Sequence, residues 1–237
     1  YFYSFRHISE KHAVVDVINR DFIIRLKPEI CKQYVPCTDT IPRKFYVFVG
    51  EKTRVEQEPT TYYCNRISMD MEFNAEYKII SEIYGDFPKD KIRFKVFDHY
   101  GTPAFSEFRY VMLFISEYCG QLYHEKYQYF DVYPTKDGRW ASPGDPYQFD
   151  NTLHNKLKIK PVKFKEAVVF STQPVFGAFR RTEFSKAYFK IEDDKAIATT
   201  GTSVQDLFQI KKAGILKYRG ILNETITPSP TVPGTER

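Results

Sequence analysis

His99 and His124 are the side chains in this sequence that invite acid–base chemistry. His99 follows Asp98 and precedes Tyr100-Gly101. A carboxylate beside an imidazole is what a general base uses. Adjacent residues on a strand point to opposite faces, however, so this pair can orient each other only in a loop. His124 lies among Tyr123, Tyr127 and Tyr129. On one sheet face these rings would make a stacking platform for a sugar or a base; the same rings also fill cores and cover edges. Neither histidine belongs to a signature: G-x-S-x-G, the P-loop, H-E-x-x-H and G-x-G-x-x-G do not occur. Asp193-Asp194 lacks the ligand spacing of a calcium loop and reads as a hairpin turn. No catalytic residue, metal site or cofactor is assigned.

Lysine offers a different chemistry. Lys156, Lys158, Lys160, Lys163 and Lys165 alternate with Leu157, Ile159, Val162 and Phe164, with one register slip at Pro161. Such a strand face would draw phosphate, a lipid headgroup or a polyanion. Charged strands also deter edge-to-edge aggregation, which explains the same pattern without a ligand. Arg180, Arg181, Lys186 and Lys190 extend the patch if the strands pair. The charge is uneven: residues 151–237 hold 15 Lys+Arg against 8 Asp+Glu, whereas residues 1–150 hold 20 against 22. That split suggests two units with different surfaces.

The cysteines are Cys31, Cys37, Cys64 and Cys119. Cys31 and Cys37 are too far apart for a C-x2-C zinc pair, and no histidine is close to either. A Cys64–Cys119 disulfide is expected, because both residues fall at the ends of predicted strands. Such a bridge implies an oxidising compartment.

These residues need a frame, and Met69–Trp140 supplies it. Met69, Met71, Phe73, Ala75, Tyr77 and Ile79 alternate with polar residues, the period of a strand with one dry face. Adjacent Ile79 and Ile80 break the phase and predict a β-bulge. Ile92, Phe94 and Val96 resume the alternation. Phe108–Ile115 reads as a buried strand, Cys119-Gly120 as a hairpin turn and His124–Tyr133 as a Tyr-rich strand. Asp137-Gly138 marks a second hairpin, and Trp140 is expected to plug one end of the core. Upstream, Phe45–Val49 is apolar throughout and should be covered on both faces. Downstream, Pro143, Gly144 and Pro146 mark residues 141–155 as linker. Ala167–Phe170, Tyr188–Ile191, Ala196–Thr200 and Ile215–Leu222 read as further strands. Ser203 is placed to cap a short helix that Gly214 stops.

Aromatic residues make up 17% of the chain, including 21 Phe and 18 Tyr, a composition that favours strands. No apolar run is long enough to span a membrane as a helix. The first residue is Tyr1, so the missing leader peptide carries no weight on compartment.

The order of elements in residues 31–140 resembles the netrin-like, OB-type barrel of the tissue inhibitors of metalloproteinases. Three pieces carry the likeness: the Cys31–Cys37 loop before Tyr46-Val47-Phe48-Val49-Gly50; the strand Glu76–Ile83 ending in Tyr84-Gly85-Asp86 and followed by Asp90–Phe94; and Val111–Ile115 running to Cys119-Gly120. The resemblance implies a closed barrel of about five strands. Those inhibitors chelate the protease zinc through an N-terminal cysteine. Here Cys31 is internal, so protease inhibition is not implied.

The expected fold is mainly β: an OB-like antiparallel barrel over 31–145, preceded by an extension over 1–30. A smaller basic β-rich module with one short helix follows over 156–224, then a disordered tail over 225–237. The expected function is that of a non-enzymatic secreted or cell-envelope module that binds another protein. The alternatives are a nucleic-acid or polyanion binder using the OB-like face and Lys156–Lys165, and an enzyme with a histidine acid–base.

Overall fold

The computed structural model describes residues 11–18, 21–28, 32–59, 61, 63–147, 160–173 and 184–222. The expected tail, Cys31, Lys156, Lys158, Arg180 and Arg181 lie outside these residues.

A hairpin comes first: β1 (Lys11–Ile18) runs antiparallel to β2 (Asp21–Pro28). Five strands then close into a barrel: β3 (Lys44–Gln57), β4 (Met71–Tyr84), β5 (Lys91–Asp98), β6 (Tyr110–Tyr118) and β7 (Gln121–Asp131), in the order β3-β4-β5-β7-β6. The first barrel strand pairs with the second and the fourth, and the fifth lies between third and fourth, which is OB-type Greek-key connectivity. Strand direction cannot alternate all the way round a ring with an odd number of strands. One pair must therefore run parallel, and it is β5 with β7, bridged at Lys95 and Tyr123. The expected antiparallel barrel is thus present, with this one parallel seam.

The unbroken apolar run in β3 serves two cores. Tyr46 and Phe48 point into the barrel with Val111, Leu113 and Ile115 of β6, while Phe73, Ala75, Tyr77, Ile92, Phe94 and Val96 complete the interior. Phe45, Val47 and Val49 point outwards with Met112 and Phe114, and meet Val204, Leu207, Phe208 and Leu216. Gly50 lies where the Tyr77 ring crosses β3. A Cβ there would sit 2.9 Å from the Phe48 ring and 3.0 Å from the Tyr77 ring, so no side chain fits.

The predicted bulge is present. Val49 pairs with Ser81 and Gly50 with Ile79, which leaves Ile80 as the extra residue. Two more shifts coil the β3–β4 ribbon, as closing a small barrel requires. The dry face of β4 begins at Phe73, not Met69. Met69 and Met71 are exposed, because they stand at the mouth of the barrel where no strand covers them. The ring that enters the barrel from the β5–β6 connection is Phe105, in a 3-10 turn at Ala104–Glu107. Trp140 instead packs outside, 4.9 Å from the Tyr110 ring.

Beyond the barrel, β8 (Tyr133–Pro134), β9 (Trp140–Pro143), β10 (Lys160–Pro161) and β14 (Thr200–Ser203) form a sheet in the order β10-β14-β9-β8. The expected linker thus begins inside a strand. A second sheet is β11 (Val169–Ser171), β13 (Lys195–Ala198) and β12 (Phe189–Glu192), with Asp193-Asp194 turning between β12 and β13 as anticipated.

Helix α1 (Val204–Lys211) starts at Ser203, whose Oγ accepts from the Asp206 amide at 3.2 Å. Val204, Leu207 and Phe208 lie three and four residues apart on the face that covers β3 and β6. Gly214 kinks the chain (φ −102°, ψ −110°) without stopping it, and Lys212–Leu216 continues as a wider π turn. The predicted strand at 215–222 is therefore corrected. Its apolar residues join the same outer core, Leu216 from the π turn and Ile221 from the bend that follows the helix.

The expected Cys64–Cys119 disulfide is also corrected, since Cys119 is bonded to Cys37. Cys119 sits at the tip of the β6–β7 hairpin, and its amide donates to Asp39 Oδ2 at 2.7 Å, which docks the tip on the 37–43 loop. Cys64 lies in the β3–β4 loop, not at a strand end. Its amide donates to the Lys32 carbonyl at 3.0 Å, and its sulfur is in a separate disulfide. Non-reducing peptide mapping should recover Cys37 linked to Cys119; a Cys64–Cys119 peptide would overturn this pairing. The C37A/C119A variant should lose about 2–5 kcal/mol in urea unfolding, because the bridge closes a long loop.

Candidate functional site

Strand β7 does not run evenly. From Leu113 to Ile115 β6 advances two residues, while its partner advances five, from His124 to Tyr129. The surplus residues bulge out of the ladder, and Tyr127 takes a left-handed backbone with φ 65°, rare for a bulky residue. His124 closes the bulge. Its Nε2 is 2.9 Å from the Gln128 carbonyl, which makes that nitrogen the donor. The ring is buried, 4.6 Å from Phe105 and 6.3 Å from Phe94. Burial in this apolar setting pushes its pKa down to about 4, and the Arg219 charge adds to the shift.

The residues that follow each hold something different. Glu125 is buried, accepts from Ser116 Oγ at 2.5 Å and pairs with Arg219 at 2.8 Å. Arg219 also donates to the Lys126 carbonyl at 3.1 Å. Lys126 Nζ reaches Asp70 at 2.7 Å and lies 5.2 Å from the Tyr127 ring. The Tyr127 ring in turn is 6.1 Å from Tyr100.

Tyr100 comes from the β5–β6 loop. Its amide donates to Asp98 Oδ1 at 2.9 Å, and Asp98 is the cross-strand partner of Met71. His99 Nδ1 is 2.9 Å from the Met69 carbonyl and 3.5 Å from Asp70 Oδ1, with its ring edge-on to Tyr100. Three segments thus converge at one mouth of the barrel: residues 69–71, residues 98–101 and the 124–128 bulge. Their exposed side chains are Met69 (73% exposed), Met71 (37%), Tyr100 (67%) and Tyr127 (46%), around the Asp70–Lys126 pair.

The four residues of the expected platform are not on one surface. Tyr123 faces outward and stacks on Phe97 at 6.1 Å, beside the parallel seam. His124 and Tyr129 point into the core, with Tyr129 6.0 Å from Phe105. Only Tyr127 belongs to the exposed cluster. The bulge changes the strand's phase, which simple alternation did not anticipate. Of the lysines, Lys160, Lys163 and Lys165 are exposed. On the outer face of β4 and β5, Lys95 is paired with Glu72 and Arg93 with Glu76.

Cys37, Asp39 and Cys119 lie close enough to suggest a metal centre. Both sulfurs are committed to the disulfide, and Asp39 accepts from the Cys119 amide and from Arg43, which hold its carboxyl below the usual range. The residues that sequence reasoning missed are Asp70, Tyr100, Lys126 and Arg219. The adjacent Lys126-Tyr127 pair was the available signal, since a cation beside an aromatic recurs in recognition surfaces. Comparison of the chain with protein-family models, curated proteins and solved structures returns no match.

The bulge makes stability sensitive to acid. Between about pH 6.5 and about pH 4 the unfolded chain takes up a proton on His124 that the folded chain refuses. Stability is therefore full above that window and falls as pH drops through it, by at most about 1.4 kcal/mol per pH unit. Urea midpoints measured across the window should decline in the native protein, and His124→Gln should flatten the decline. An unchanged slope in the variant would assign the acid sensitivity to other groups.

Proposed function

We propose that this protein is a non-enzymatic docking module of an oxidising compartment, secreted or in the cell envelope, that binds another protein through the Tyr100–Tyr127 surface. The observation that carries this reading is the exposed Tyr127, held in a left-handed backbone beside Tyr100. A bulky residue in that conformation costs on the order of 1–3 kcal/mol and persists only where its surroundings impose it. Here His124, Glu125 and Arg219 impose it, and the product is an outward ring that stands beside Tyr100 and Lys126 and is nearly half exposed.

The composition of the cluster supports a protein partner. Tyrosine and methionine are enriched at the centres of protein interfaces, and methionine adapts its shape to what it meets. The Asp70–Lys126 pair supplies polar contacts within the patch. The paired charges on the outer face of β4 and β5 disfavour the alternative in which that face binds nucleic acid, since Arg93 and Lys95 there already have their counterions. The disulfides support an oxidising compartment.

A photoreactive residue placed at position 127 should cross-link to one partner protein in the native setting. The same residue at position 89, in the β4–β5 turn at the far end of the barrel, should not. The Y100S substitution should weaken the position-127 adduct about ten-fold or more, as expected for an aromatic anchor. Equal labelling from both positions, or labelling indifferent to Y100S, would refute the proposal.

A further inference from the structure

Thr135 and Phe164 form an isolated antiparallel bridge that joins the β8–β9 turn to the segment after β10. The Lys136 amide donates to the Lys163 carbonyl at 2.9 Å, and the Lys165 amide donates to the Pro134 carbonyl at 2.8 Å. Lys136 is therefore directly opposite Lys163, and Lys165 opposite Pro134. Thr135 and Phe164 are buried, so their neighbours on each strand project from the other side, where Lys136, Lys163 and Lys165 are all exposed.

The ladder beneath them is fixed. The Phe164 ring lies 6.2 Å from Tyr133, inside a small core with Ala141 and Val168. Gly201 of β14 lets that ring approach: a Cβ there would sit 3.1 Å from Phe164 Cζ and 2.8 Å from the Ser142 carbonyl. Three lysine side chains thus rise from a rigid support, their Cβ atoms about 5 Å apart across the strands and about 7 Å apart along one of them. Among the described residues none of the three has an ion-pair partner. Of the acids nearest in sequence, Asp137 is engaged by Arg139 and Thr135, which hold its pKa down at about 2, and Glu166 forms no ion pair with the three lysines among the described residues.

We infer that Lys136, Lys163 and Lys165 form a docking face for a sulfated polysaccharide. A row of uncompensated lysines matches closely spaced anionic groups on a linear chain, and each contact made releases a counterion. A single-stranded nucleic acid would in addition seek exposed rings on which to stack its bases. Here the rings next to the lysines, Phe164 and Tyr133, are turned into the core. An oxidising compartment is also where sulfated glycans occur with disulfide-bonded proteins. The surface is separate from Tyr100 and Tyr127 and does not depend on their role.

The test is retention of the full chain on immobilised heparin over a range of salt. The native protein should bind, and K136Q/K163Q/K165Q should bind at least about ten-fold more weakly, its log–log salt slope shallower by roughly 2–3. A control with the same loss of charge, K44Q/K95Q/K190Q, should behave like the native protein, because those lysines are already ion-paired with Glu117, Glu72 and Glu192. Y100S/Y127S should also retain heparin binding. Equal weakening in the two triple variants would overturn the assignment. So would full binding to desulfated heparin, or tighter binding to single-stranded DNA or to phosphatidylserine vesicles at the same salt.

Discussion

The hydrogen bond from His124 to the Gln128 carbonyl sets the shape of β7, and through it the shape of one mouth of the barrel. An imidazole can donate to that carbonyl and remain uncharged, so it can be buried against Phe94 and Phe105 without a counterion. Once the bulge is closed, its residues have little freedom. Glu125 turns under the ladder to Ser116, Lys126 turns out to Asp70, and Tyr127 is left on the surface. A carboxylate, an amine and a ring that are consecutive in the chain thereby serve three different neighbourhoods.

The second consequence of the bulge is that the C-terminal segment cannot be separated from the barrel. Arg219 satisfies Glu125 and caps the Lys126 carbonyl, while the apolar face of α1 covers the outer side of β3 and β6. Glu125 is buried, and removing Arg219 would leave an uncompensated carboxylate under the strand, the costly way to break such a pair. The apolar and ionic contacts therefore hold the same segment, one along β3 and the other beside the bulge.

Much of this was legible in the sequence, and where it was not the reason is local chemistry. Phe73, Ala75 and Tyr77 kept a clean period of two, and Phe45–Val49 announced a strand covered on both sides, because burial acts on every residue of such stretches. Ile79-Ile80 gave away a bulge by breaking phase. The bulge in β7 gave no such notice, since it is closed by a histidine and bears a tyrosine where glycine or asparagine is usual. Met69 and Met71 were apolar and in phase yet lie beyond the cover of any neighbour. The run from Ile215 was apolar enough for a strand, and only its position against the outer core decided for a helix. The Cys37–Cys119 pairing and the Glu125–Arg219 pair join residues 82 and 94 positions apart, a scale on which alternation says nothing.

A ring with an odd number of strands carries one pair of neighbours that point the same way, and here Lys95 and Tyr123 alone mark that pairing. Every other junction of the barrel is laced by a run of antiparallel partners. The wall therefore has a grain: strain applied across it is borne unequally, and the line between β5 and β7 yields first. The Phe97 and Tyr123 rings stacked over that line act as a rivet on the outside of the wall, holding shut by aromatic contact what the backbone leaves thinly stitched.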